Sequence, residues 1–212
     1  MFGTHDLALF VLSGLLLNIT PGADTLYIVG RSAAQGARSG IMAALGVGAG
    51  CFVHMFAAAL GLSAILAASA TAFTVVKLIG AAYLIYLGVS LLRTSAKSTA
   101  AQATIPLRQT TLRMVFFQGL LTNVLNPKVA LFFLAFLPQF IDQDAPDKVL
   151  GFLFLGMVFN VNGTLWNLFV AWSSARVGHR ARSHHRYGAW LNRIAGGVFI
   201  GLGIRLAFSR PD

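Results

Sequence analysis

Two dipeptides, Thr20-Pro21 and Asn126-Pro127, lie inside long apolar runs. A Thr or Asn directly before Pro reads as a helix N-cap followed by Pro at the first helical position. Within an apolar span, this means that one helix stops and another starts. A plain proline kink is the alternative; two of them at matching places, each close to Asn, favour broken helices. Backbone groups freed at such depth are tolerated only where protein or a water-filled cavity satisfies them. The restarting half-helices offer N–H groups and positive dipole ends, which suit a substrate carboxylate. Thr20, Pro21, Gly22 and Pro127 form the breaks, with Asn18, Asn123 and Asn126 as polar partners beside them.

Two charges accompany the breaks, Asp24 and Lys128. At 1.5 Å rise per residue, Asn18 and Asn123 fall about 16 and 14 Å into their spans, near the middle of a core about 30 Å thick. Asp24 and Lys128 fall on opposite sides of that midplane, so a direct salt bridge is not expected. Each marks one side of a central site, as a gate charge or a proton-responsive group. Asp24 would meet a substrate ammonium or a coupling proton, a helix-capping carboxylate being the alternative. Lys128 stands at the second position of a half-helix, where a cation opposes the dipole, which favours a functional or paired role. Asn160, Gly163, Thr164 and Asn167 share one helical face. They are expected to line the cavity or to bond between helices. Gly46, Gly50, His54, Ala58 and Gly61 recur near every fourth residue, a packing seam in which His54 is more simply structural than proton-responsive. The five histidines and single Cys51 show no metal-ligand spacing. Neither a cofactor nor a metal is implied, and no nucleophile motif or phosphate-binding loop is present.

The elements that must position these residues follow from composition. Of 212 residues, 57% are hydrophobic and 10% charged, with 16 Lys and Arg against 6 Asp and no Glu. Soluble chains carry roughly 25% charged residues, so these helices are not bathed in water. Apolar runs give six spans, 7–30, 41–68, 74–92, 114–137, 149–173 and 189–208. Within them lie only Asp24, Lys77, Lys128, Arg193 and Arg205, and all but Asp24 and Lys128 are near enough to an end to snorkel. No length is left for a soluble catalytic domain; residues 1–212 read as a single membrane transport domain.

The connections 31–40, 93–113 and 174–188 carry ten Lys and Arg and no acid, whereas the other side holds five Asp with Lys148 and Arg210. The positive-inside rule then puts both termini outside the cytoplasm. A net charge of +10 therefore reflects orientation and anionic lipid headgroups, notably along 176–186, and no nucleic-acid partner. The run Gly14-Leu-Leu-Leu-Asn18-Ile19 matches Gly119-Leu-Leu-Thr-Asn123-Val124, and Ile79 to Leu91 aligns with Ile194 to Leu206. Halves at about 1–95 and 112–212, joined by a basic cytoplasmic linker, hold three spans each and so enter the membrane in opposite senses. The expected fold is an all-α integral membrane protein of six transmembrane helices, arranged as two inverted three-helix repeats with helices 1 and 4 broken.

At Asn18-Ile-Thr-Pro-Gly-Ala-Asp24, Gly80-Ala-Ala-Tyr-Leu-Ile-Tyr-Leu-Gly88, Gly119-Leu-Leu-Thr-Asn-Val-Leu-Asn-Pro-Lys128 and Phe136-Leu-Pro-Gln-Phe140, the chain resembles the LysE/RhtB family of bacterial amino-acid exporters. It departs at Ala23, where the family often has a second Pro. The resemblance implies a multi-pass protein of the bacterial cytoplasmic (inner) membrane, not an enzyme. Such a protein exports amino acids or related metabolites from the cytoplasm, coupled to an ion gradient, and a homodimer is compatible with it. Protons are the expected coupling ion, given one intramembrane Asp and no ATPase domain. A metal-ion or inorganic-ion permease would need clustered ligands, where the spans offer scattered Asp24, Cys51 and His54. An intramembrane enzyme would need a facing nucleophile and base.

Overall fold

Proline and glycine, rather than charge, set the ends of the helices around the breaks. In the computed structural model, residues 2–64, 70–93, 109–142, 144–177 and scattered positions from 193 to 204 are described. Helix α1 (Leu7–Ile19) stops at Thr20-Pro21, and α2 (Ala23–Gln35) follows at 51° to it. Gly36 then reverses the chain alone, at φ +80°, a conformation that L side chains rarely adopt. That one-residue turn lets α3 (Ala37–Ala57) start four residues before the expected 41, and it continues through a π-helical turn at Ala58–Leu62. Helix α4 spans Ala70–Arg93; α5 (Leu112–Val124) and α6 (Pro127–Ala135) form the second bent pair, at 49°. A 3-10 turn at Leu137–Phe140 leads on to α7 (Lys148–Val177).

All of these elements are helices. Among the described residues, Ala37–Leu62 and Lys148–Arg176 are each long and apolar enough to cross a membrane, and the two bent pairs raise that number to four. The sixth expected span, the linker 94–108 and the Arg/His run after Val177 lie largely or wholly outside the described residues. Leu60, Leu125 and Leu165 are each more than 60% exposed, a belt suited to lipid and not to water. At the end of α7, Arg176 lies over the Trp172 ring at 4.1 Å, an anchor of the interfacial kind.

The two broken spans run side by side and antiparallel. Phe10 meets Phe136 and Phe140, Leu17 meets Lys128, Asp24 meets Asn123, and Gln35 meets Thr110. Residue numbers fall along one span as they rise along the other, which brings the breaks to adjacent levels. Helix α3 packs closely on α5. A Cβ on Gly50 would stand 2.6 Å from Leu120 O, one on Gly119 would stand 2.6 Å from Ala43 O, and Gly46 lies against Phe116 O. The expected glycine seam ends before Gly61, which has nothing within 4 Å.

Two apolar cores flank a polar layer. One gathers Phe10, Phe132, Phe136, Phe152 and Phe159 from α1, α6 and α7, with Phe132 and Phe159 stacked at 4.7 Å. The other holds Ile28, Ala43, Val47, Val115 and Ala171 from α2, α3, α5 and α7. Between them along the helices fall Thr20, Asn123, Asn126, Asn160 and Asn167, all buried, while buried His54 sits within the first core's stretch of α3, between Cys51 and Met55.

Candidate transport site at the paired breaks

Each break begins with a missing donor. Pro has no N–H, so Pro21 leaves Leu17 O, and Pro127 leaves Asn123 O, without the usual helical partner four residues on. The second break forms as its sequence predicts. Asn126 is the N-cap, its Oδ1 accepts from Lys128 N at 3.0 Å, and Pro127 opens α6. The first does not. Thr20 is the C-cap of α1 rather than an N-cap, and its N and Oγ1 both donate back to Leu16 O, at 3.1 and 2.7 Å. A threonine hydroxyl can bond the carbonyl four residues back as readily as cap the next helix. With Gly22 as the N-cap, extended and without a side-chain bond, Pro21 stands in the gap rather than inside α2.

Side chains from the other half of the sequence supply the missing donors. Lys128 Nζ donates to Leu17 O at 2.7 Å and to Thr20 O at 2.8 Å. The cation that opposes the dipole of its own helix thus sits at the C-terminal, negative end of α1. His54 Nε2 lies 2.9 Å from Asn123 O; a carbonyl only accepts, so Nε2 carries the proton. His54 is therefore engaged with the backbone, the structural role. Asn126 N also reaches Asn123 O, at 2.9 Å.

Between the breaks lies a cavity of about 30 Å³, lined by Asn18, Gly22, Asp24, Asn126, Lys128 and Asn167, with Leu17, Thr25 and Val129 completing the wall. About 10–15 Å³ holds one water, so this space fits an ammonium or part of a carboxylate, not a whole amino acid. Asp24 Oδ2 accepts from Asn123 Nδ2 at 2.8 Å. Its Oδ1 is buried without a hydrogen-bond partner, as are Asn18 Nδ2 and Asn123 Oδ1. No ion pair joins Asp24 and Lys128; the ion pairs found among the described residues involve His5. Asp24, Asn18 and Lys128 therefore line one small space, with an acceptor on Asp24 and a donor on Asn18 still without hydrogen-bond partners behind its wall. That set matches the two charged ends of a zwitterion.

The remaining residues singled out in the sequence divide. Pro21 and Pro127 are exposed and shape the site through the backbone. Thr20 contributes its carbonyl, and Asn123 holds Asp24. Asn160 is buried behind the cavity, accepting from Thr164 Oγ1 at 3.3 Å beside Gly48, so the α7 stripe splits and only Asn167 reaches the cavity. Gly163 gives room to Asn18; a Cβ there would stand 3.1 Å from its Oδ1. Among the described residues, no group of three or more His, Cys, Asp or Glu could hold a metal ion.

One cluster was not anticipated. Arg31, counted with the basic loop 31–40, is 4% exposed. It donates to Gln118 Oε1 at 2.6 Å and Gln35 Oε1 at 2.8 Å, while Tyr27 Oη donates to Val115 O at 2.8 Å. Gln35 Nε2 in turn donates to Thr110 O at 2.9 Å. The signal was the spacing of Asp24, Tyr27, Arg31 and Gln35, a polar stripe down one face of α2. Together these bonds latch α2 to α5 beyond the cavity.

Comparison with known proteins places these features in a family. An uncharacterized membrane protein of Pseudomonas aeruginosa, PA4757, is 34% identical over 211 residues, covering 97% of this chain and 96% of its own length. A leucine efflux protein of Salmonella typhimurium is 28% identical over 209 residues, covering 97% and 96%. An uncharacterized membrane protein of Vibrio cholerae is 31% identical over 206 residues, covering 97% and 98%. No solved structure matches the chain. The family model for LysE type translocators matches residues 15–210, so the chain is a multi-pass membrane transporter, not an enzyme, and belongs to the LysE family.

Proposed function

We propose that this chain exports amino acids or closely related zwitterions from the cytoplasm across the bacterial inner membrane. The observation that carries the reading is the single cavity between the helix breaks, where Asp24 Oδ1 and Asn18 Nδ2 are both buried and unspent. Asp24 takes the substrate ammonium. Asn18, Lys128 and the open N-terminus of α2 at Gly22 take its carboxylate, and Leu17 and Val129 meet the side chain. The name of the similar leucine efflux protein supports this substrate class.

A cavity of about 30 Å³ has room for the polar ends alone, so transport requires the surrounding helices to part. The latch of Tyr27, Arg31, Gln35 and Gln118 is what must yield on one side. Antiparallel packing of the two broken spans supports their relation as inverted repeats, which would rock to expose the site alternately to each face. The excess of basic residues in the loops next to α2 and α5 supports termini outside the cytoplasm. A proton gradient drives export, with Asp24 as the group that exchanges substrate for proton.

The test is efflux of labelled amino acids preloaded into proteoliposomes, with and without an imposed proton gradient. Gradient-dependent efflux of a subset of neutral amino acids is expected. No gradient-dependent efflux of any of them sinks the reading.

A further inference from the structure

The Lys128 side chain crosses from the second break to the first and ends on two backbone carbonyls. Leu17 O lost its helical donor to Pro21, and Thr20 O lies at the gap where α1 ends; Lys128 Nζ reaches them at 2.7 and 2.8 Å. The same cavity, lined also by Asp24, lies beside that ammonium, and Asp24 Oδ1 is buried without a hydrogen-bond partner. Carbonyls of an interrupted helix, the negative end of its dipole and a nearby carboxylate form the kind of oxygen-rich cradle that holds a monovalent cation in ion-coupled carriers. Here the cation is part of the chain.

We propose that the Lys128 ammonium is a tethered cation that fills this carbonyl cradle beside Asp24, so that no free metal cation is needed there, and that removing it opens the cradle to a small primary ammonium ion. Gly22 fits this reading, because a Cβ at that position would already stand 3.6–3.7 Å from Lys128 Cδ and Nζ. Position 22 therefore lies beside both the lysine stem and its head, at ordinary contact distance for an added Cβ. An ammonium presents three donors, of which the two carbonyls take two.

The inference rests on the same site as the exporter reading, but its test measures cation occupancy rather than transport, so the two can fail separately. The full chain is purified in detergent and its thermal unfolding followed. For the native sequence, the midpoint is expected to be the same in sodium, potassium and N-methylglucamine chloride at equal ionic strength. Lys128→Ala truncates the side chain at Cβ, and n-propylammonium replaces what was removed. The variant is expected to unfold at lower temperature and to regain stability with added n-propylammonium, saturably at millimolar concentration. Neither 1-propanol, which lacks the charge, nor tetramethylammonium, which lacks donors, should reproduce this. Adding Asp24→Asn to Lys128→Ala should weaken the n-propylammonium response at least tenfold in concentration. A specific rise in the native midpoint with sodium overturns the proposal, and that arm needs no variant. So does a Lys128→Ala response to n-propylammonium no larger than that of the native chain.

Discussion

The two prolines make matching demands that are met unequally, and stability should register the difference. Lys128→Met keeps the length of the stem and removes the charge and donors. It leaves both Leu17 O and Thr20 O without the bonds they now receive. Each buried carbonyl left unsatisfied costs about 1–3 kcal/mol, so the loss is about 2–6 kcal/mol. His54→Phe removes one donor from Asn123 O, but Asn126 N still reaches that oxygen at 2.9 Å. The loss is then that of one ordinary hydrogen bond, about 0.5–1.5 kcal/mol. In a chain of this size, 1 kcal/mol moves the thermal midpoint by about 2–4 °C. Lys128→Met should lower it by about 4–24 °C, and His54→Phe by about 1–6 °C. Pro21→Ala supplies an N–H that reaches Leu17 O once Thr20, extended at ψ 120°, turns helical and α1 lengthens. It should do little in the native background and recover about 1–3 kcal/mol in Lys128→Met. The assay is thermal unfolding of the native chain and these four variants in one detergent, read as a double-mutant cycle for the Pro21 and Lys128 pair. Equal losses for Lys128→Met and His54→Phe, or a Pro21→Ala effect independent of Lys128, would refute the idea that orphaned carbonyls are what these side chains serve.

Asp24→Asn keeps an acceptor for Asn123 Nδ2 but removes the anion. It should abolish gradient-driven amino-acid efflux in proteoliposomes while shifting the midpoint by no more than about 6 °C, the effect of one hydrogen bond; full efflux from the variant ends the assigned role. Gly50→Val puts a Cβ 2.6 Å from Leu120 O and 2.8 Å from Asn123 Cβ. It should destabilise by about 1–3 kcal/mol or more through overpacking, whereas Gly61→Val, with open space around it, should change stability little in the same unfolding assay. Gln118→Leu removes the acceptor that Arg31 reaches at 2.6 Å. It should lower the midpoint and weaken the α2 to α5 latch, measurable as faster hydrogen exchange in residues 23–35.

What was legible in the sequence was what depends on local backbone chemistry. Pro21 and Pro127 announce their orphaned carbonyls without any knowledge of the fold, and Asn126 caps as its type predicts. Thr20 was misread because its hydroxyl has two local partners of similar worth, the helix ahead and the carbonyl behind. Gly22, which needs no side-chain cap, made the second available. Arg31 was misplaced because a charge near the end of an apolar run normally marks the water boundary. Here Gln118, from a helix 87 positions away, satisfies it inside. The α7 stripe had the right period, but periodicity gives a face and not the neighbour that faces it. Asn167 meets the cavity and Asn160 meets Thr164. Contacts between distant segments, such as that of Lys128 with Leu17, have no local signature beyond two partners each lacking something.

That complementarity has a mechanical consequence. The donor for the first break comes from Lys128, just past the second. The donor for the second comes from His54 in the first half, and Asp24, just past the first break, is held by Asn123, just before the second. A rigid-body movement of one half against the other must therefore strain these bonds together, because each joins a group in one half to a group in the other. Uncovering Leu17 O and Thr20 O singly would leave bare carbonyls in a low-dielectric layer at about 1–3 kcal/mol each. A substrate whose ammonium binds Asp24 and whose carboxylate binds Lys128 offsets that loss at the moment it arises. Under the proposed export, the empty carrier would resist opening more than the loaded one, the difference that gradient coupling would need to avoid a leak.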